Sequence, residues 1–359
     1  MLIDADTHVR EDYCLDEVYD LKGEFADRKP KLISDGDYSR RRYQHSLSPW
    51  PAAAEKGHAH KELYDPNRWE GRVARMQDES RDIDRRLQTF RDAGISQQVI
   101  FGTNMDPAVL NRGRFGAALA TAYNNWLAKL AKSRGGEILP VAILPLGAPE
   151  AMAGELRRCV TEFGFKAGLL GAYSLDHTLD EAVFDPLYAE AERLDVPLFV
   201  HPNSRGEMTN RFKNFYIMHT LARPTNCTAA LVGLVIGGVF ERFPKLRVAF
   251  FECNTEWLLY WMHRMDATYE YLRDLYAPYL TMKPSDYVRR NCWLTCEGHE
   301  RLGPAIEQIG EDRLMMASDY PHWDAGFPFM IGEFKERTDL TRRQKDLVMG
   351  ENVRTLMRL

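Results

Sequence analysis

Short apolar segments recur along nearly the whole chain, and a stretch of helical periodicity separates most of them. They fall at residues 2–5, 98–101, 138–144, 166–171, 196–200, 246–251, 292–295 and 314–317. Residues 115–131, 149–163, 185–194, 257–272 and 302–309 space their apolar side chains three and four apart, which buries one face of a helix. A helix returning the chain between strands makes neighbouring strands parallel, and strands covered on both faces read as continuous apolar runs. Strand-helix alternation counted eight times is the arithmetic of a (β/α)8 TIM barrel in the α/β class.

At 359 residues the chain is longer than a typical domain, but barrels of this kind run as one unit. One domain over 1–359 is expected, with an inserted segment at 11–71 carrying Tyr43, Pro49, Trp50, Pro51 and Trp69. A loop of that length leaving the catalytic face reads as a lid or a dimer contact, and a homodimer is the expected state. Residues 72–91 return to a helical pattern with Val73, Met76, Ile83, Leu87 and Phe90 on a stripe, their charges read as a solvated face.

Lys and Arg number 47 against 52 Asp and Glu, a net charge of -5 that offers no basic field to a nucleic acid or an anionic membrane. The longest apolar run, 229–240, holds three glycines and is too short to span a bilayer. Asp4, Asp6 and His8 stand where an export signal needs a basic and then an apolar stretch, so a cytoplasmic location is expected. Six scattered cysteines then read as reduced thiols, with Cys292 and Cys296 as buried packing.

A TIM barrel places its chemistry at the C-terminal ends of its strands. Asp6 and His8 close the first expected strand and, by alternation, face the same way. His201 ends the fifth, Glu252 the sixth, Glu297 the seventh, and Asp319 the eighth, followed by Tyr320-Pro321-His322. Carboxylates and imidazoles from separate strands, with a position left open, form the pattern of a catalytic divalent-metal site.

At these residues the chain resembles the amidohydrolase superfamily, in the amidohydrolase-related group that includes aminocarboxymuconate semialdehyde, γ-resorcylate and 5-carboxyvanillate decarboxylases. The resemblance runs from Ile3-Asp-Ala-Asp-Thr-His through Phe184-Asp-Pro-Leu-Tyr, Val200-His-Pro and Arg242-Phe-Pro-Lys-Leu-Arg. It continues in Ser318-Asp-Tyr-Pro-His-Trp-Asp and Gly350-Glu-Asn. It implies one divalent ion held by Asp6, His8, His201 and Asp319, with zinc expected and manganese or iron as alternatives. The chain departs from those decarboxylases in carrying Glu252 where they have a strand-six His. That change, with Cys296-Glu-Gly-His-Glu300, is similar to a subgroup described as predicted metal-dependent hydrolases. No lysine ends strand four, where Gly171-Ala-Tyr173 stands and two-metal relatives place a carboxylated one; Lys166 lies earlier.

The leading expectation is hydrolysis of a small cyclic or aromatic, carboxylated compound by metal-activated water. Asp319 is then ligand and general base, His322 positions or polarises the substrate, and Glu252 is a further acid/base or the partner of a ligand imidazole. The alternative is metal-dependent, non-oxidative decarboxylation of an aromatic acid, and the third reading is an inactive barrel that serves as a binding protein. Glu297, His219, Arg223 and Trp323 are the expected substrate contacts, and Trp50, Trp69, Phe215, Tyr320, Arg205 and Arg211 lie in neighbouring positions. His45, His58, His60, His177 and His263 read as surface or structural residues, and His299 as a less dismissible one.

Overall fold

The structure is a computed structural model that describes residues 1–11, 14–32, 43–44, 76, 79, 81–103, 105–174, 176–202, 212 and 214–359. Its strands are β1 (Leu2–Val9), β2 (Ile95–Gly102), β3 in two pieces (Ile138–Pro140 and Ala142–Ile143), β4 (Gly168–Gly171), β5 (Leu198–His201), β6 (Val248–Phe250), β7 (Cys292–Cys296) and β8 (Leu314–Met316). Successive strands pair in parallel, the first piece of β3 with β2 and the second with β4. The interruption follows Pro140, which has no amide proton to give to a ladder.

Closure between last and first strand comes just past β8. The Asp319 amide donates to the Asp6 carbonyl at 3.0 Å and the His8 amide to the Tyr320 carbonyl at 2.6 Å, with Thr7 and Tyr320 paired in parallel. The eight strands therefore form the ring of a TIM barrel. The same bonds bring two ends that carry chemistry side by side.

Around the ring lie α1 (Ile83–Asp92), α2 (Gly113–Lys132), α3 (Pro149–Phe163), α4 (Asp185–Leu194), α5 (Phe215–Ile236), α6 (Glu256–Tyr276), α7 (Pro284–Asn291), α8 (Leu302–Ile309) and α9 (Phe329–Glu336). Their ends follow local chemistry. Asp82 caps α1 by accepting from the amides of Asp84 and Arg85, and α3 begins on Pro149 and stops at Gly164 with φ +74°, a left-handed conformation that costs glycine little. The apolar run 229–240 forms the end of α5 and a short turn beyond Gly237 and Gly238. Among the described residues no helix is long and apolar enough to cross a membrane, and all six cysteines are free thiols.

Two expectations change. The charged face of the helix before β2 is not wholly solvated: Arg86 is fully buried, donating to the His8 carbonyl and, at 2.8 Å, to Gln98 Oε1 beneath the ring of Tyr320. Tyr320 is likewise no substrate contact, because it lies within the core against Phe90 and Phe327 with its hydroxyl on the Met76 carbonyl. Of the expected insertion, a helical turn at Leu15–Val18 buries Leu15 and Val18, and Lys31–Leu32 pairs antiparallel with Tyr43–Gln44. Trp50, Trp69, His45, His58, His60, Arg205, Arg211 and the Phe215 side chain lie outside the described residues.

Candidate metal centre

Four side chains from three strand ends converge. His8 Nε2 lies 3.2 Å from Asp6 Oδ1 and 3.1 Å from Asp319 Oδ1, and His201 Nε2 lies 3.8 Å from Asp6 Oδ2. β1 carries an irregularity in register between Asp4 and Thr7, a feature that re-aims side chains beside active sites. Asp319 (φ +58°), Glu252 (φ +56°) and Asn254 (φ +60°) are held in the left-handed region, strain that persists where surrounding structure enforces it.

Backbone carbonyls set the direction of both imidazoles. His8 Nδ1 contacts the Gly102 carbonyl at 3.2 Å and His201 Nδ1 the Pro202 carbonyl at 2.8 Å. A carbonyl only accepts, so each Nδ1 carries a proton and each Nε2 is turned to the common centre. Asp6 Oδ1, His8 Nε2 and His201 Nε2 are buried there without a hydrogen bond. Unmet polar atoms in a closed place are costly, and a divalent cation satisfies this set of two imidazoles and two carboxylates.

Beneath the centre the rings of Phe101, Phe199 and Phe251 pack together, with Phe101 also against His8 and His201. Burial in this apolar setting lowers the His201 pKa to about 4, which favours the neutral imidazole. Burial also opposes charge on His8, yet contacts with Asp319 and Asp6 carry its pKa well above the usual value. The site thus pulls positive charge toward itself. For Asp319, burial acts upward, but the charge and hydrogen bond of His322 (Nδ1 to Oδ1, 2.6 Å) together with His8 hold the carboxyl well below the usual range.

Above the centre lies a cavity of about 270 Å³ lined by Asp6, Asp319, Glu252, Arg223, Glu297 and Asp324, among others. Glu252 Oε2 is 3.6 Å from His201 Nε2, and its Oε1 is 2.8 Å from Arg223 Nη2. Burial pushes the Glu252 carboxyl well up, with Arg223 opposing and the Asp319 and Asp6 carboxylates reinforcing. Arg223 Nη1 is 3.7 Å and His219 Nε2 3.2 Å from Asp324 Oδ2, and Trp323 lies against the His219 ring. Burial and the nearby Glu300, Asp319, Asp324 and Glu333 push Glu297 up to about 8.

A family profile described as Amidohydrolase matches residues 3–359. The chain belongs to the amidohydrolase family. It is 27% identical over 290 residues to γ-resorcylate decarboxylase of Polaromonas sp., covering 77% of this chain and 87% of that one. To 2-amino-3-carboxymuconate-6-semialdehyde decarboxylase of Dictyostelium discoideum it is 25% identical over 245 residues, 65% of each chain. Among solved structures, an amidohydrolase of Mycobacterium avium subsp. paratuberculosis superposes with a TM-score of 0.78 at 19% identity over 99% of this chain and 97% of that one. A dihydroxybenzoic acid decarboxylase of Polaromonas sp., solved with manganese and 2-nitroresorcinol, gives 0.71 at 20% identity over 100% and 97%.

In this amidohydrolase, therefore, Asp6, His8, His201, Asp319 and His322 come together, and Glu252, Glu297, His219 and Arg223 line the same cavity. His263 and His299 are exposed, and His177 pairs with Glu181. Sequence reading missed Asp324, the shared partner of His219 and Arg223, although it stands two residues past His322. It also missed Asp4, whose Oδ1 accepts from the Ser318 amide at 3.0 Å and the Asp6 amide at 3.3 Å, tying β1 to the end of β8. Its signal was a third acidic or imidazole residue on the first strand.

Proposed function

We propose that this amidohydrolase is a metal-dependent, non-oxidative decarboxylase of a small cyclic or aromatic acid, with Asp6, His8, His201 and Asp319 holding the ion. The names of the relatives carry the choice over hydrolysis, and the buried carboxyl of Glu252, 3.6 Å from His201 Nε2, stands where a proton donor is needed. Burial shifts the Glu252 carboxyl toward its protonated form, against the pull of Arg223, which suits it to give a proton. Decarboxylation needs that donor: the bond from ring carbon to carboxylate breaks, its electron pair stays on the ring carbon, carbon dioxide leaves, and the Glu252 proton goes to that carbon. Hydrolysis stands second.

When bound, the ion supplies a Lewis acid that draws electron density from the substrate. Manganese is proposed rather than zinc, because half of the donor set is carboxylate oxygen and a Polaromonas neighbour was solved with manganese. Arg223 and His219 orient the substrate's polar groups, Trp323 lends an aromatic edge, and His322 holds Asp319 in place. Cytoplasmic action and a homodimer belong to the same proposal; the exposed Tyr271, Leu272, Leu275 and Tyr276 at the end of α6 offer an apolar contact surface.

The test incubates manganese-loaded protein with hydroxybenzoates and with cyclic amides, lactones and esters. Release of carbon dioxide from a benzoate is expected. A new carboxylic acid without carbon dioxide restores hydrolysis. His201→Ala and Asp319→Asn should each lose bound metal, read by elemental analysis, together with turnover; retention of both properties sinks the ligand assignment.

A further inference from the structure

The turn that carries Glu252 out of β6 is strained, with Glu252 at φ +56° and Asn254 at φ +60°. A glutamate stays in the left-handed region only where its neighbours enforce it. One end of the turn rests on β7, because the Glu252 amide donates to Thr295 Oγ1 at 3.2 Å. The other end is Thr255, fully buried at the N-cap of α6. A threonine hydroxyl in that position ordinarily accepts an amide of the first helical turn, yet Thr255 makes no such bond. Its amide and its hydroxyl both donate to Glu300 Oε2 instead, each at 2.8 Å.

Glu300 belongs to the loop after β7 and is 4% exposed, and its Oε1 accepts from the Glu297 amide at 2.6 Å. That loop is itself anchored. Arg337, just past α9, donates to the Gly298 and Glu300 carbonyls, both at 2.7 Å, and a side chain on Gly298 would collide with Glu333. A buried carboxylate that gathers donors from two loops fixes the distance between them. We propose that Glu300 is a positioning residue of this site: it brackets the turns after β6 and β7 and so holds the Glu252 carboxyl 3.6 Å from His201 Nε2. Both Glu300 oxygens are taken by those donors, so it acts through Glu252. The inference rests on the reading of Glu252 as proton donor and adds what keeps it in place.

The variants are Glu300→Gln, which has one acceptor oxygen where the bracket uses two, and the pair Thr255→Val and Thr255→Ser, which remove and keep the hydroxyl. On manganese-loaded protein turning over a benzoate, Glu300→Gln should lower kcat by about 10²-fold, the cost of a small misplacement, with KM within about 3-fold. Thr255→Val should lower kcat by about 10-fold and Thr255→Ser by less than about 2-fold, with bound manganese unchanged in all three. Added to Glu252→Gln, Glu300→Gln should cost less than about 3-fold more, since both losses fall on the same proton. In crystal structures the Glu252 carboxyl should leave His201 and Arg223 in Glu300→Gln and stay beside them in wild type.

An unchanged kcat, a Thr255→Ser as slow as Thr255→Val, or a loss that multiplies with that of Glu252→Gln overturns the inference. So does a Glu252 that keeps its place in the variant crystal. Should Glu300→Gln not fold, Thr255→Val takes its place in each comparison. If wild type releases no carbon dioxide from any benzoate, the decarboxylase reading falls alone, and the position of Glu252 in the two crystals still decides for or against Glu300.

Discussion

Glu252 and Asp319 are carboxyls beside one centre, and their surroundings pull them in opposite directions: burial raises the first, while His322 and His8 lower the second. Glu252→Gln removes the donor and keeps the shape, so kcat should fall by about 10²–10⁴ with bound metal unchanged by elemental analysis. Asp4 makes a separate point about protonation. Burial raises its pKa from 3.8 to about 7 in spite of the two amides it accepts from. An acid whose folded pKa is raised stabilises fully below its unfolded value, and that stability is lost as pH rises through the folded one. Across that window the metal-free protein should lose at most about 4 kcal/mol at this residue. Asp4→Asn keeps an acceptor without the charge, so its melting temperature should match wild type near pH 4 and exceed it near pH 8.

At the scale of elements, α1 helps to aim His8, the first candidate ligand. Arg86 reaches from that helix to the His8 carbonyl and to Gln98 on β2, with its guanidinium under Tyr320 of the closing segment. Three parts of the ring therefore meet on one side chain. Arg86→Met keeps much of the volume but leaves buried acceptors unmet, and should cost about 2–4 kcal/mol in urea unfolding. Metal affinity should fall in the same variant, because the β1 end loses its tether. α5 acts on the opposite rim, where His219 and Arg223, one turn apart, share Asp324.

Over the whole molecule the candidate ion joins β1, β5 and β8, so it clamps the seam where the barrel closes as well as serving chemistry. A ligand that binds only the folded state stabilises it by about 4 kcal/mol at a thousand times its dissociation constant. Chelation should then lower the melting temperature by several degrees and abolish turnover, and manganese should restore both. A melting curve indifferent to chelator would separate the seam from the metal.

The barrel class was legible in the chain because its evidence is local: a strand buried on both faces needs a short apolar run, and a covering helix needs a stripe. That Asp6, His8, His201 and Asp319 gather at one end was legible for a related reason, since a strand's last residues face a known side of a barrel. What tertiary structure alone decided was company. Nothing near Arg86 in sequence says that its charge is sealed against the His8 carbonyl, and nothing near Tyr320 says that it faces the core. The opposite shifts of Glu252 and Asp319 depend on groups brought together from distant strands. Periodicity along the chain sets which face of an element is buried, whereas charge and desolvation are summed through space, over neighbours that only the closed ring assembles.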